Sequence, residues 1–235
     1  GLGFGNGEAL LEMIEDIAAQ RGWGELFSLG TRAAAEKIGG EARDIAPHVK
    51  GLELPGYEPR ALQSMALGFA VGTRGADHNR SGAYEVDFSE EFDRLDSGPE
   101  VIESVIRVEN EAVVMDSLIL CKFLRGVFPD RMTGMAELLE AVTGWDVTST
   151  ELTEKAEQIV TAKKVFNIRQ GWTPAEDTLP RRFFQEPLSE GGSRTAQLDE
   201  SRLADQVRRY NLARGWTEEG WVPGEPPVEM GRDES

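Results

Sequence analysis

The segment Glu100–Leu124, EVIESVIRVENEAVVMDSLILCKFL, carries the strongest helical pattern of the chain. Pro99 precedes it, as is common at the first turn of a helix, and its centre is almost entirely apolar. A helix that is apolar on all sides is buried among other elements. The segment therefore predicts a core helix. Because further helical patterns lie on both sides of it, we expect a mainly α fold of multi-helix, bundle-like domains.

Two residues in this segment carry chemistry. Asp116 would place a carboxylate on a buried helix, which is costly unless hydrogen-bond donors meet it. Cys121 is the only cysteine of the 235 residues, and a lone cysteine is most often a small packing residue. One cysteine excludes an intrachain disulfide and an iron–sulfur centre held by this chain alone, because such centres normally take four protein ligands. If Cys121 binds iron, the other ligands lie outside the chain.

Helical patterns also fill most of the remaining sequence, with Gly or Pro residues between them. The expected helices span about 8–20, 24–29, 31–38, 59–71, 133–143, 151–169 and 198–213. Only His48–Leu54 alternates in polarity between prolines and is expected to be extended, and a domain boundary is placed near residue 47. Residues 81–98 and the acidic, proline-rich tail after Pro223 are expected to be irregular.

The composition limits the class of protein. The net charge is −17 and no basic stripe interrupts it, which argues against a nucleic-acid partner. The charge favours solubility, and steering of a basic partner is the alternative. No apolar run approaches the roughly 20 residues that span a bilayer, and Gly1-Leu-Gly-Phe-Gly5 lacks the regions of a signal peptide. We expect a cytoplasmic chain and, since it has no initial methionine, a part of a longer polypeptide.

Three further motifs have unusual local chemistry: Gly75-Ala-Asp-His-Asn-Arg80, Asn167-Ile-Arg-Gln-Gly-Trp-Thr-Pro174 and Leu179-Pro-Arg-Arg-Phe-Phe184. Together with Asp116–Cys121 they resemble the C-terminal part, domains 2 and 3, of the aldehyde:ferredoxin oxidoreductase family. Its members are tungsten, sometimes molybdenum, enzymes with a bis-pterin cofactor and a 4Fe-4S cluster. The landmarks follow the family's order along nearly the whole chain, from Gly5–Leu10 through His48–Pro55 to Tyr210–Trp216.

The resemblance implies a domain division and an incomplete enzyme. Residues 1–47 would be the C-terminal remainder of the middle helical domain, and residues 48–235 the C-terminal helical domain. The N-terminal domain that binds much of the cofactor, three cluster cysteines and the family's first Asp-x-x-Gly-Leu-Asp motif are missing from this sequence. The chain alone is therefore expected to be inactive, with the N-terminal portion of the same enzyme as its partner.

The family's Asp-x-x-Gly-Leu-Cys motif implies the cofactor contacts. Asp116 would give a carboxylate to the pterin, Leu120 would contact the cofactor, and Cys121 would give a thiolate to the 4Fe-4S cluster. The motif's glycine is Ile119 in this chain, which adds bulk where the backbone approaches the cofactor.

The resemblance also implies a role for His78, which we expect on a loop after a glycine-rich break. There an imidazole would orient the aldehyde or its hydrate and carry a proton; the alternative is an exposed loop histidine. Asp77 and Arg80 would position it or bind pterin phosphate and ring groups, and surface ion pairs are the alternative. His48 is assigned a structural role.

Four polar residues of the later motifs allow two interpretations. They would line the substrate channel or a subunit surface, or else be solvated or ion-paired around a packed Trp172. These residues are Asn167, Arg169, Arg181 and Arg182.

Three functions remain open from the sequence. The first is oxidation of a small aldehyde to a carboxylic acid, with electrons passing through the cluster to ferredoxin or another carrier. The second is a related reaction of formate or an aromatic thioester, and the third is a cofactor-free helical interaction module. Retention of His78, Asp116 and Cys121 together argues against the module. We expect neither a nucleic-acid nor a membrane partner, and an oligomer is compatible with the sequence.

Overall fold

The computed structural model describes residues 3–189 and 194–225, and its architecture is mainly α, as predicted. The helices are α1 (Gly7–Ala19), α2 (Trp23–Phe27), α3 (Thr31–Ile38), α4 (Ala42–Ile45), α5 (Gln63–Val71), α6 (His78–Ser81), α7 (Tyr84–Asp87), α8 (Ile102–Ser117), α9 (Arg131–Thr143), α10 (Ser149–Arg169), α11 (Arg182–Gln185) and α12 (Glu200–Ala213). Short 3-10 turns span Pro99–Val101, Lys122–Gly126 and Pro174–Glu176. The strands are β1 (His48–Val49), β2 (Leu52–Glu53), β3 (Leu188–Ser189) and β4 (Thr195–Ala196).

The strands form two small antiparallel hairpins. The segment predicted to be one extended stretch folds back on itself, so that β1 pairs with β2. The turn residues Lys50 and Gly51 both have positive φ, +52° and +88°, which is the geometry of a tight two-residue hairpin turn. The pairing of β3 with β4 was not predicted. The predicted domain boundary near residue 47 falls between α4 and β1 and stays a prediction.

Helix α8 lies in the core, but it is shorter than predicted. Val105, Val108 and Val113 are almost fully buried, as expected of a core helix. The helix ends at Ser117 instead of Leu124, because Ile119 adopts the left-handed conformation with φ +58°. Its N–H donates to the Asp116 carbonyl and the Leu120 N–H to the Met115 carbonyl, which is the Schellman arrangement at a helix C-terminus. Cys121 therefore lies outside the helix.

Polar side chains at the centre of α8 are buried and paired. Glu109 accepts hydrogen bonds from the Tyr210 hydroxyl and the Arg214 guanidinium, and Arg214 also donates to Asn110 at 2.7 Å. Arg131, at the start of α9, pairs with Glu111 at 2.7 Å. These ion pairs and hydrogen bonds thus connect the core helix to α9 and to the end of α12.

A second cluster joins the first hairpin to α10. Asp177 lies 2.8 Å from the Lys50 ammonium and 3.0 Å from the Lys164 ammonium, and it accepts the Trp172 indole N–H at 2.9 Å. Trp172 is buried, as expected, and the Lys164 ammonium lies 3.1 Å from the centre of its ring. These contacts hold the loop after α10 against the body of the protein.

Two other predicted segments differ in their details. Helix α5 begins at Gln63, not near residue 59, because the Asp87 carboxylate accepts from the backbone N–H groups of Ser64 and Met65, each at 2.9 Å. Such an acceptor satisfies donors that the first turn of a helix leaves unpaired. Residues 81–98 include α7, so this region is not wholly irregular. Most of the predicted irregular tail, from residue 226 onward, lies outside the described residues.

The N-terminal helices bury little of their apolar surface. Helix α1 has apolar residues at helical spacing, yet Leu10, Leu11 and Ile14 are each at least half exposed. Across the described ranges, no helix combines the length and apolarity needed to traverse a bilayer.

Candidate functional site

His78 is the first residue of α6, so its predicted position on a loop is wrong. The Asp77 side chain caps this helix by accepting from the N–H groups of Asn79, at 2.9 Å, and Arg80, at 3.2 Å. The predicted glycine-rich break directly precedes it. The cap fixes the backbone from which the imidazole projects.

The imidazole of His78 belongs to a stack of aromatic rings. The Tyr57 ring lies 4.7 Å from it, centre to centre, at an interplanar angle of 25°. Tyr84 lies 4.9 Å from Tyr57 and 6.1 Å from the imidazole itself, and Phe88 follows at 6.2 Å from Tyr84. Stacked rings at these distances attract each other and limit ring motion. Sequence reasoning missed Tyr57 and Tyr84, because no spacing along the chain links either of them to His78.

The surroundings of His78 favour its neutral form. Partial burial is the main cause that lowers the pKa of His78 below its usual value of 6.5. The positive charge of Arg125 acts in the same direction, whereas the Asp77 carboxylate opposes both. A neutral imidazole near pH 7 keeps one ring nitrogen available to accept a proton.

The carboxylate of Asp116 meets the donors that its position requires. Arg80 donates to one carboxylate oxygen, and the Lys122 ammonium lies 2.8 Å from the other. The Arg80 contact brings together the two predicted site segments, 75–80 and 116–121. Burial is the main cause that lowers the pKa of Lys122, and Asp116 opposes it. A carboxylate has about four lone-pair positions, so Asp116 retains acceptor capacity for further donors.

Asp77 and Arg80 both take part in ion pairs. Asp77 lies 2.9 Å from the Arg74 guanidinium and 3.8 Å from that of Arg80. These pairs and the helix cap account for both residues structurally. Their predicted contacts with pterin groups stay predictions.

Cys121 is exposed, which removes the packing interpretation of this thiol. The neighbouring apolar side chains of Ile119 and Phe123 are also exposed, at 91% and 96%. Leu120, in contrast, is half-buried and packs on the main core, so its predicted cofactor contact is untested. Within residues 3–189 and 194–225, no group of three or more His, Cys, Asp or Glu side chains could hold a metal ion. The predicted ligation of a cluster by Cys121 stays a prediction.

The later motifs make contacts both within and between segments. Asn167 donates to the Thr73 carbonyl at 2.6 Å, close to the His78 segment. Arg169 pairs with Glu225 at 2.7 Å and Arg182 with Glu186 at 2.9 Å, in line with the ion-paired alternative. Arg181 is exposed beside a cavity of about 330 Å³, which His48 also lines. A substrate-channel role for these residues stays a prediction.

Comparisons with known proteins agree with the motifs. The model of the family "Aldehyde ferredoxin oxidoreductase, domains 2 & 3" matches residues 1–231. The tungsten-containing aldehyde ferredoxin oxidoreductases of Pyrococcus furiosus and Pyrococcus horikoshii are each 34% identical to the chain. The matches cover 97% and 98% of this chain but 37% and 38% of those proteins. The chain thus spans little more than a third of the length of these relatives.

A solved structure shares the fold. The chain is similar, with a TM-score of 0.63 and 17% identity, to a chain of the active site complex BamBC of benzoyl coenzyme A reductase in complex with 1,5-dienoyl-CoA. The similarity covers 94% of this chain and 38% of that one. A more distant relative by sequence, 24% identical, is the WOR-like subunit of an aliphatic sulfonate oxidoreductase of Pyrococcus furiosus.

Proposed function

Because this chain belongs to the aldehyde ferredoxin oxidoreductase family, we propose that it supplies the C-terminal part of an enzyme that oxidises aldehydes to carboxylic acids. The enzyme would hold tungsten, or molybdenum, on a bis-pterin cofactor and pass electrons through a 4Fe-4S cluster to ferredoxin. The observation that carries the proposal is the convergence of the His78 and Cys121 segments, which Arg80 joins through Asp116. The cytoplasm is the compartment that we propose for it.

Cys121 would provide one thiolate ligand of the cluster, and Asp116 a carboxylate acceptor for pterin N–H groups. Exposure of Cys121 supports this role, because a ligand shared with cysteines of another part of the enzyme must be accessible to them. When bound, the metal–pterin and the cluster supply the acceptance and onward transfer of two electrons. The remaining part of the enzyme, N-terminal in the family, is the partner that completes both sites.

His78 would handle protons. Conversion of an aldehyde and water into a carboxylic acid releases two protons and two electrons. The neutral imidazole would accept one of these protons at its free nitrogen and return it to solvent. Tyr57 supports this role, because its stacked ring restricts the orientation in which the imidazole meets a substrate.

The proposal is tested on the complete enzyme, purified without oxygen from its native host. We expect about one tungsten or molybdenum and at least four iron atoms per protomer, and reduction of a viologen dye that depends on an added aldehyde. Formate and an aromatic thioester serve as comparison substrates. Turnover with only one of these would replace aldehyde as the substrate, and absence of metal would favour the cofactor-free module.

Two substitutions test the residue roles in the same preparation. Cys121→Ala should lower the iron content while the helical circular dichroism signal is retained, and Ser117→Ala, at the exposed last residue of α8 four residues earlier, is the matched control. His78→Ala should lower turnover by about 100-fold or more with metal content unchanged. Full iron in Cys121→Ala would contradict the ligand assignment, and full turnover in His78→Ala would leave the histidine a structural role.

A further inference from the structure

Arg125 connects the Cys121 segment to the residues around His78. It lies four residues after Cys121 in the 3-10 turn Lys122–Gly126, and its side chain is only 13% exposed. Its guanidinium leaves this turn and reaches α6 and α7. The side chain is thus placed between two segments that are more than 40 residues apart in sequence.

The guanidinium contacts are directed at the neighbours of His78. One nitrogen donates to the Tyr84 hydroxyl and lies 3.4 Å from the Asn79 side-chain oxygen, and the other terminal nitrogen donates to the Asn79 carbonyl at 3.3 Å. The guanidinium carbon also lies 5.4 Å from the centre of the Tyr84 ring. Tyr84 is stacked on Tyr57, and Tyr57 on His78. Arg125 therefore holds both the backbone next to His78 and the Tyr84 ring, whose centre lies 6.1 Å from that of the imidazole.

Arg125 is itself fixed from the opposite side. Its Nε lies 3.0 Å from the Glu85 carboxylate, which also pairs with Arg131. Arg131 donates to the Arg125 carbonyl at 2.8 Å and pairs with Glu111 on the core helix. Each of these contacts restricts rotation of the long Arg125 side chain and so limits the conformations that it can adopt. The guanidinium is consequently held in one orientation, unlike that of a mobile surface arginine.

We propose that Arg125 is a positioning residue that fixes the His78 imidazole relative to the Cys121 segment. The planar fork of the guanidinium is required, since it makes several hydrogen bonds in fixed directions from one group. An ammonium in its place would keep the charge but lose the fork. The effect of Arg125 on catalysis rests on the proposed function, but its effect on the position of the His78 imidazole can be measured without cofactor.

The first test uses the histidine ring resonances of the chain, which has only two histidines, His78 and His48. In Arg125→Met we expect the ring shifts of His78 to move and its titration midpoint to rise, because a nearby positive charge is lost. Asp77, Tyr57 and Tyr84 are the other titratable groups that face this ring. The His48 signals should stay unchanged and so provide an internal control.

Two further variants separate charge from geometry. Arg125→Lys should keep the titration midpoint close to that of the wild type while the His78 ring shifts still move. Arg107→Met, which removes a 60%-exposed arginine paired with Glu111, should change neither. If the His78 ring shifts of Arg125→Lys were the same as in the wild type, the proposal would be overturned. This result decides the test even if Arg125→Met fails to fold.

The second test uses the complete enzyme. Arg125→Lys should lower kcat by about tenfold or more, with KM and iron content nearly unchanged, since small displacements of a catalytic group are costly in rate. If His78→Ala lowers turnover as expected, an unchanged kcat in Arg125→Lys would overturn the proposal. If His78→Ala kept full turnover, the proton-transfer role proposed for His78 would fail, and the His78 ring shifts in Arg125→Lys alone would decide the positioning by Arg125.

Discussion

At the scale of single residues, Ile119 is the most strained position of the candidate site. It is β-branched and has φ +58°, a region in which an L-residue brings its Cβ too close to the following carbonyl oxygen. Helices often end with such a left-handed residue, and glycine is the usual one. The family's motif has glycine here. The replacement of this glycine by Ile119 therefore introduces backbone strain, in addition to the bulk near a cofactor that the sequence indicates.

We expect Ile119→Gly to raise the free energy of unfolding by about 1 kcal/mol, since it removes most of the left-handed penalty. Little packing is lost, because the isoleucine side chain is 91% exposed. Greater freedom of glycine in the unfolded chain cancels a part of the gain. Urea unfolding of the chain measures the change as a higher midpoint with an unchanged slope.

Ile119→Ala is the matched control for this prediction. It removes the β-branch but keeps a Cβ in the left-handed conformation, so we expect less than half of the gain. A midpoint of Ile119→Gly at or below that of the wild type would show that residue 119 is not strained in solution.

The chemistry of single residues was partly predictable. The cost of a carboxylate on a core helix correctly predicted donors for Asp116, which are Arg80 and Lys122. The partners of His78 could not be predicted in the same way. Tyr57, Tyr84 and Arg125 reach it only through tertiary packing, and no periodicity of the sequence records such contacts.

At the scale of elements, the longest helices follow their apolar periodicity, and the errors lie at their ends. Helix α8 stops early because of a left-handed residue that its composition does not reveal. Helix α5 starts late because Asp87, more than 20 residues away, caps it. The expected single strand became a hairpin, since Lys50, a non-glycine residue, accepts positive φ in the turn. Each error depends on a backbone conformation or a distant contact instead of a pattern.

Helices α8 and α12 are held together by a buried ion pair. Arg214 and Glu109 have side chains only 2% and 8% exposed, and the Tyr210 hydroxyl donates to the same carboxylate. Removing one partner of a buried pair leaves the other charge without compensation. We therefore expect Arg214→Met to lower the free energy of unfolding by about 3–5 kcal/mol, measured by urea unfolding.

A control on α12 itself separates this effect from a general loss of charge. Arg208 pairs with Asp205 and Glu218 at the surface, so Arg208→Met should cost no more than about 1 kcal/mol. Adding Glu109→Gln to Arg214→Met should recover part of the loss, because no unpaired charge then remains buried. Equal losses for the two arginine variants would contradict the buried-pair argument.

At the scale of the whole molecule, the net charge is −17, yet positively charged side chains stabilise parts of the interior. The Asp177 cluster connects the hairpin, α10 and the following loop through the ammonium groups of Lys50 and Lys164. Composition cannot indicate this, because it counts charges without regard to burial. The same holds for the site, where Arg80, Lys122 and Arg125 converge in an acidic chain.

The buried Lys164 makes the stability of the molecule depend on pH. Burial lowers the pKa of this amine to about 8, although Asp177 opposes the change, from 10.5 in the unfolded chain. Between these two values the unfolded chain binds more protons than the folded one, so the free energy of unfolding rises with pH. Below pH 8 the cost of the buried charge is present in full.

Lys164→Met should remove this dependence, and urea unfolding at pH 7 and pH 10.5 measures it. Relative to the variant, the wild type should gain up to about 3 kcal/mol between the two pH values, since one pKa unit corresponds to about 1.4 kcal/mol. Lys155→Met, at an exposed lysine of the same helix that bonds Gln158, should show no such difference from the wild type. A constant gap between the wild type and Lys164→Met at both pH values would mean that Lys164 stays fully charged in the fold, with Asp177 and the Trp172 ring outweighing its burial.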